Sequence, residues 1–350
     1  MDSGLSLSMA NTDVALIGAG PIGVEMAVAL KQAGIDYLHL EKRQVGQTIF
    51  WFTPQTRFFS STERLAIAGV PLQTVDQTKC TREEYLTYLR TVVQQFDLDI
   101  RLYHRVLGVS RRDGVFRIET EHAGLRDTVQ ANRVILATGG TAKPRALGLP
   151  GEELPHVSHY FHEPHTYFRQ KVLVVGGKNS AVEAALRCHH AGAFVSVSYR
   201  RGGFDPKVIK YWLLPEVNSL IDGGQIQGHF NTVPRQFGPT GATLSRVDTG
   251  QTFDVPADFV LLMVGYLADM CLCQMAGVTL ISPSSKPLYD NRTMETDVPG
   301  LYVAGTAVEG TQEHFGAFIE NCHIHVGRII AALTGRAPPE EPKLPEKLEM

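Results

Sequence analysis

Three glycines in Gly18-Ala19-Gly20-Pro21-Ile22-Gly23 close a short apolar run, and the carboxylate of Glu41 stands at the end of the next one. Gly18 suits a tight turn, Gly20 the close approach of backbone to a pyrophosphate, and Gly23 the close packing of helix on strand. A helix that starts here turns its amino terminus toward phosphates. An acid at the position of Glu41 accepts hydrogen bonds from both ribose hydroxyls of an adenosine. The pattern returns at Gly176-Gly177-Lys178-Asn179-Ser180-Ala181, with Lys178 in place of the second glycine. Tyr199 follows Gly176 at the offset at which Glu41 follows Gly18, and Arg200 and Arg201 come next. Removing the carboxylate removes repulsion toward a 2′-phosphate, and two guanidinium forks add charge-assisted bonds to it. Two such loops call for two nucleotides, FAD at the first and NADPH at the second, with hydride passing from nicotinamide to flavin. The residues expected to line FAD are Gly18, Gly20, Pro21, Gly23, Glu41, Lys42, Thr138, Gly139, Gly305 and Thr306. Those expected to line NADPH are Gly176, Gly177, Lys178, Asn179, Ser180, Ala181, Arg200 and Arg201.

Each loop needs a strand before it and a helix after it. Residues 13–17 read as a buried strand, and Val24, Ala27, Val28 and Leu30 as the apolar face of a helix that stops at Gly34. "DYLHLE" is a second strand. The later copy predicts a strand over 171–175, a helix from Ser180 stopping at Gly192, and a strand over 194–199. Thr81-Arg82-Glu83-Glu84 is a capping box for a helix through Arg90, and 114–120 with 127–136 read as hairpin strands. "VILATGG" ends at Gly139, "FVLLMVGY" contains Gly265, and "GLYVAGT" spans 300–306; all three read as buried strands. The fold class is therefore α/β, two Rossmann-like dinucleotide-binding domains with the NADPH domain inserted in a split FAD domain. The expected boundaries are 1–165 and 285–335 for FAD, 166–284 for NADPH, and a flexible proline-rich tail over 336–350. The crossings are expected near Pro164 and Pro287.

The 350 residues are 43% hydrophobic and 20% charged, as in an ordinary globular protein, and the formal net charge of −3 argues against nucleic acid as a partner. Five scattered cysteines do not form a secreted disulfide framework. The leader "MDSGLSLSMANT" lacks the basic start and apolar core of a signal peptide, and no apolar run reaches membrane-spanning length. A cytoplasmic protein with no membrane partner is expected.

Over roughly residues 13–334 the chain resembles two-domain flavoproteins of the thioredoxin reductase type. More narrowly, "FFSSTERLAIAGVP", "VVGGKNSAVEAAL", "WLLPE" and "FIEN" in this order resemble the bacillithiol-disulfide reductase family. The resemblance implies FAD, NADPH, a homo-oligomer and reduction of an oxidised low-molecular-weight thiol; it also implies a lysine at position 178. It further implies a cysteine between Pro21 and Gly23 that acts on the disulfide, and here the residue is Ile22. An aliphatic side chain can neither attack a disulfide nor form a mixed one, so reduction would take electrons directly from flavin. The catalytic residue is thus unassigned. Two readings remain beside this one: an NADPH-dependent electron donor to a protein such as ferredoxin or flavodoxin, and a nucleotide-binding redox sensor.

No other thiol fits the role by sequence. The dithiols of thioredoxin reductases and of glutathione-reductase relatives are both missing from the corresponding stretches. Cys271 and Cys273 are two apart and do not share a helix face. Cys188 reads as a core residue, Cys80 precedes a helix cap, and Cys322 lies about eleven residues into a last helix counted from Thr311, roughly 16 Å along its axis. His156, His159, His162 and His165 read as an interdomain loop around Pro164 rather than a metal site. His323 and His325 do not share a helix face. Phe50, Trp51, Phe52, Phe58 and Phe59 are expected beside the flavin or in ordinary interdomain packing. The helix start at Thr311–Glu313 is expected to favour negative charge on the flavin, with Glu313 and His314 as nearby proton donors. Replacing Arg200 and Arg201 together by alanine is expected to cut the preference for NADPH over NADH by about tenfold or more, measured as the ratio of kcat/KM values.

Overall fold

The computed structural model describes residues 10–312 and 316–339. They fall into two units. One holds the chain up to Phe50, Gln55–Lys143 and the segment from Leu267; the other holds Trp51–Pro54 and Pro144–Tyr266. Both crossings come earlier than the boundaries at 165/166 and 284/285 read from the sequence. Val157–Ser158 is already an edge strand of the second unit, paired in parallel with Phe259–Leu262. On the return, Cys273, Ala276 and Val278 are buried in the core of the first unit. Among the described residues no helix is long and apolar enough to cross a membrane.

In the first unit, β1 (Ala10–Ile17), α1 (Pro21–Gln32) and β2 (Tyr37–Leu40) form the first nucleotide-type unit. The sheet runs in the order Ile100–Arg101, β2, β1, Leu125–Leu136, Val115–His122, Arg105–Arg112. β1 pairs in parallel with β2 and with Leu125–Leu136, and Val14, Ala15 and Leu16 are wholly buried. This is why they read as a continuous apolar run: a strand covered on both faces needs no polar alternation. Leu125–Leu136 changes neighbours along its length. Its start pairs antiparallel with Val115–His122, and its end pairs parallel with Leu301–Val303. The hairpin is as expected from sequence, but Arg105–Arg112 was missed. The capping box at Thr81 is formed: Thr81 N donates to Glu84 Oε2 at 2.7 Å and Glu84 N to Thr81 Oγ1 at 3.3 Å. Its helix, Arg82–Gln95, outruns Arg90.

In the second unit, β3 (Lys171–Val175), α2 (Asn179–His190) and β4 (Phe194–Tyr199) match the sequence reading to within a residue. The all-parallel sheet has the order Ile226–Phe230, β4, β3, Phe259–Leu262, Val157–Ser158. A separate antiparallel sheet comprises Thr232–Gly238, Gly241–Arg246 and Thr252–Pro256.

The last helix of the first unit is Ile319–Thr334. It is tied to α1 by an ion pair, His323 Nδ1 donating to Glu25 Oε2 at 2.7 Å. His323 Nε2 lies 3.0 Å from Arg64 O. Both neighbours are acceptors, so the ring is satisfied only when both nitrogens carry hydrogen. Burial opposes the charge, but the Glu25 carboxylate overrides it, with Arg64 O and the charge of Glu320 adding to the effect, and holds the imidazole above its ordinary value. Arg336 N donates to Ala331 O, and Pro339 lies against Gly327. The described start of the tail therefore folds back on the helix; the remainder, 340–350, lies outside the described residues.

A folded-state value above the unfolded one means that the pair contributes fully below the unfolded value and is lost as pH rises through the folded one. Glu25→Gln is therefore expected to flatten the fall of Tm as pH rises above the ordinary histidine value of about 6.5. Parallel pH profiles of Tm for the two proteins would contradict it.

Candidate nucleotide and redox site

β1 ends where the chain must turn sharply, and Gly18 takes φ +106°, a conformation that favours glycine. A Cβ at Gly18 would lie 2.5 Å from Ala137 O, and one at Gly23 would lie 2.0 Å from Gly18 O. Both glycines are thus required by the protein's own packing. Gly20 is different: its φ of −71° suits any residue, and a Cβ there would meet nothing within 4 Å. Neither backbone strain nor an internal neighbour requires this glycine, which caps α1 and leaves open space beside its backbone. Pro21 occupies the first position of α1, where its missing N–H is no loss. Glu41 is buried and accepts from Ala19 N at 2.7 Å through Oε2 and from Arg43 N at 2.9 Å through Oε1. These bonds fix the carboxylate at the loop, and each oxygen retains acceptor capacity for a ribose. Lys42 is exposed, with Asp269 among the charges it influences.

The carboxyl ends of three parallel strands bring the other expected first-site residues beside this loop. Ala137 N donates to Ile17 O, and Ala304 N to Leu136 O. Thr138 and Gly139 follow one strand end; Gly305 and Thr306 follow another. Thr306 Oγ1 accepts from Gly140 N at 2.9 Å, joining the two. Ile22 is 5% exposed and packs on Gly305, whose Cβ would stand 3.4 Å from that of Ile22. Sequence reasoning missed His325, whose Nδ1 accepts from Gly305 N at 3.2 Å. Burial, then the charges of Arg328 and His323, lower this imidazole to about 4 and keep it neutral. The helix expected at Thr311 is not there: Thr311 and Gln312 are non-helical, Gly310 turns at φ +60°, and Ile319 begins the last helix. Cys322 consequently sits in that helix's first turn rather than about three turns along it. Glu313 and His314 lie outside the described residues.

In the second unit Gly176 has φ +145°, and its Cβ would lie 2.4 Å from Met263 O and 3.0 Å from Ala181 Cβ. The ring of Tyr199 covers Gly177, where a Cβ would fall 2.3 Å from it. Lys178 caps α2 with an unstrained φ of −112°, so its backbone does not demand glycine. Ser180 is exposed at the start of the helix. The Asn179 side chain holds a neighbouring loop, donating to Val208 O at 3.0 Å and accepting from Lys210 N at 2.7 Å. Arg200 and Arg201 are exposed at the end of β4. Lys210, by contrast, is paired with Glu183 at 3.4 Å.

All five thiols are free. Burial pushes Cys80, Cys188, Cys273 and Cys322 up to about 12. Cys271 is exposed, but its hydrogen bond to Asp269 and that residue's charge raise it as well. None of them is poised as a thiolate. His156 bonds Gly238 O at 2.9 Å, His159 pairs with Glu152 at 3.0 Å, and His165 lies in the single turn Pro164–Tyr167. No group of three or more metal-ligating side chains occurs among the described residues. The aromatic run divides: Arg82 covers Phe50 and Phe58 packs on Tyr85 in the first unit, while Trp51 meets Tyr160 in the second. A disulfide reagent added to native protein near neutral pH is expected to titrate one thiol quickly, Cys271, and all five only after unfolding. Rapid reaction of two or more would contradict the burial just described.

A family model described as pyridine nucleotide-disulphide oxidoreductase matches residues 15–305. Bacilliredoxin reductase of Bacillus subtilis is 36% identical over 322 residues, 92% of this chain and 97% of that protein. The bacillithiol disulfide reductase structure from Bacillus cereus matches with a TM-score of 0.88 and 34% identity, covering 93% of this chain and 99% of that one. Thioredoxin reductase of T. acidophilum shares the fold, with a TM-score of 0.70 and 22% identity over 93% of this chain and 98% of its own. The paired glycine loops thus stand in a thioredoxin reductase-type fold, and the chain belongs to the pyridine nucleotide-disulphide oxidoreductase family.

Proposed function

We propose that this protein is an NADPH-dependent FAD oxidoreductase that reduces a low-molecular-weight disulfide of the bacillithiol type, NADPH + H⁺ + RSSR giving NADP⁺ + 2 RSH. The observation that carries the reading is Gly20, a glycine that neither conformation nor packing requires, in a chain 36% identical to a bacilliredoxin reductase. The first loop holds FAD: Gly18, Gly20, Pro21 and Gly23 face its pyrophosphate, Glu41 and Lys42 its adenosine side, and Thr138, Gly139, Gly305 and Thr306 the other end. The second loop, Gly176 to Ala181, holds NADPH, with Arg200 and Arg201 receiving the 2′-phosphate. Bound in this way, the flavin supplies two-electron chemistry between a nicotinamide and a disulfide.

The chain's own contribution is binding and shape. Ile22 puts an aliphatic wall against Gly305 where the resemblance implies a thiol, and no described cysteine replaces that thiol. The disulfide therefore meets no protein nucleophile, and the reading dispenses with a mixed-disulfide stage. A cytoplasmic homo-oligomer completes the proposal; five free thiols support a reducing compartment.

Anaerobic stopped flow tests the reading. NADPH is expected to bleach the flavin, and bacillithiol disulfide to restore its colour at the rate of turnover. Bleaching without restoration by the disulfide, but with restoration by a ferredoxin or flavodoxin, would overturn the disulfide assignment. Two substitutions probe the loop. Gly20→Ala is expected to leave the stability of ligand-free protein within about 1 kcal/mol of wild type, the cost of a poorer N-cap, while sharply lowering flavin content. Gly23→Ala is expected to destabilise the fold itself, because its Cβ has no room.

A further inference from the structure

We propose that His39 is a positioning residue for the flavin-site loop, its ring donating to the Gly18 carbonyl and so holding the Gly18–Ala19 peptide in the orientation that leaves Gly20 open to the cofactor. The inference rests on the assignment of FAD to the first loop. His39 is wholly buried and is the one strongly polar side chain on the inward run of β2, Leu38-His39-Leu40. Its Nε2 lies 2.9 Å from Gly18 O. Burial lowers the imidazole to about 4, so the ring is neutral and carries a single hydrogen, which the carbonyl places on Nε2. Nδ1 has no hydrogen-bond partner.

An apolar residue here would bury as well and leave no orphaned nitrogen, so packing alone does not account for histidine. Its one bond does. Gly18 O is the atom against which α1 presses, since a Cβ on Gly23 would fall 2.0 Å from it. The remaining polar groups of the two loop residues are taken as well. Gly18 N donates to Leu40 O at 2.8 Å, Ala19 N to Glu41 Oε2 at 2.7 Å, and Gly46 N to Ala19 O at 2.9 Å. Without His39 the Gly18–Ala19 peptide keeps the bond on its N–H, from Ala19 N to Glu41, and loses the one on its carbonyl, while the bonds at Gly18 N and Ala19 O hold the peptides on either side. In the loaded protein the carbonyl then turns more readily, the loop leaves the cofactor-holding conformation more often, and FAD is released faster.

The test compares FAD release from holoenzyme, followed by flavin fluorescence, for wild type, His39→Leu and His39→Gln. Leucine fills the site without a donor; glutamine supplies an amide N–H. The leucine variant is expected to release FAD about tenfold faster, and glutamine to restore the rate to within about threefold. Affinity for NADP⁺, measured calorimetrically on the same proteins, is expected to stay unchanged, because that loop belongs to the other unit. Equal release from all three proteins would overturn the inference, as would equal acceleration by leucine and glutamine. Should leucine prevent folding, His39→Met takes its place. If neither apolar variant folds, glutamine alone decides: wild-type release supports the role and faster release overturns it. A wild-type protein that binds no FAD would defeat the functional reading instead, independently of the variants.

Discussion

The first unit depends on the peptide between Gly18 and Ala19 being unable to turn. Consecutive residues at the end of β2 hold it: the His39 imidazole bonds its carbonyl and the Glu41 carboxylate its N–H, while the Leu40 carbonyl accepts from Gly18 N on the peptide just before. A loop so tied is ordered before any ligand arrives, and association does not have to order it. The cradle is thus a product of strand pairing: β1 and β2 must be in register, Ile17 opposite Leu40, for His39, Leu40 and Glu41 to reach the turn. The second unit shares one of these bonds, Gly176 N donating to Ser198 O, but Val197 stands at the offset of His39 and the Tyr199 ring lies across Gly177.

Electron transfer to a disulfide usually runs through sulfur of the protein, and this chain has placed its sulfur elsewhere. Four thiols are packed into cores and one lies on the surface beside a carboxylate. Ile22 is not an isolated substitution in that setting. It is buried against Gly305, at the point where α1 and the strand end Leu301–Val303 come together, and it fills the contact that a smaller side chain would leave partly open. Restoring a thiol there would also remove packing, so the two effects would have to be separated in any variant.

Much of the architecture was legible because it rests on local signals. The runs at 171–175 and 194–199, the glycine stops and the Thr81 capping box each depend on residues close in sequence, and all appear where read. The misreadings come from distant pairings. Val157–Ser158 joins the second unit only because Phe259–Leu262 lies beside it, and Arg105–Arg112 exists only as the partner of Val115–His122. The last helix was placed too early, from Thr311, because the fold that the chain resembles starts its final helix at the flavin, whereas here Gly305–Glu309 is a short 3₁₀ turn that ends at Gly310 and the helix begins at Ile319. Of the site, separate tasks for Gly18, Gly20 and Gly23 were already legible in the sequence. The structure adds the contacts that leave no room for a side chain at Gly18 and Gly23 and leave Gly20 open. His39 and His325 are single histidines whose partners are backbone atoms, and a backbone partner leaves no complementary residue in the sequence to mark it.

The division of the chain also bears on the order in which it is made. Every strand of the second unit's parallel sheet lies between Val157 and Leu262, so that sheet can close as soon as this stretch has left the ribosome. The first unit begins earlier and must wait longer. Its strand Leu125–Leu136 keeps one flank uncovered until Leu301–Val303 is synthesised, and α1 lacks its partner helix until Ile319–Thr334 follows. During translation the half that starts first is therefore the half that finishes last, and its exposed strand edge is the part of the nascent chain most in need of protection.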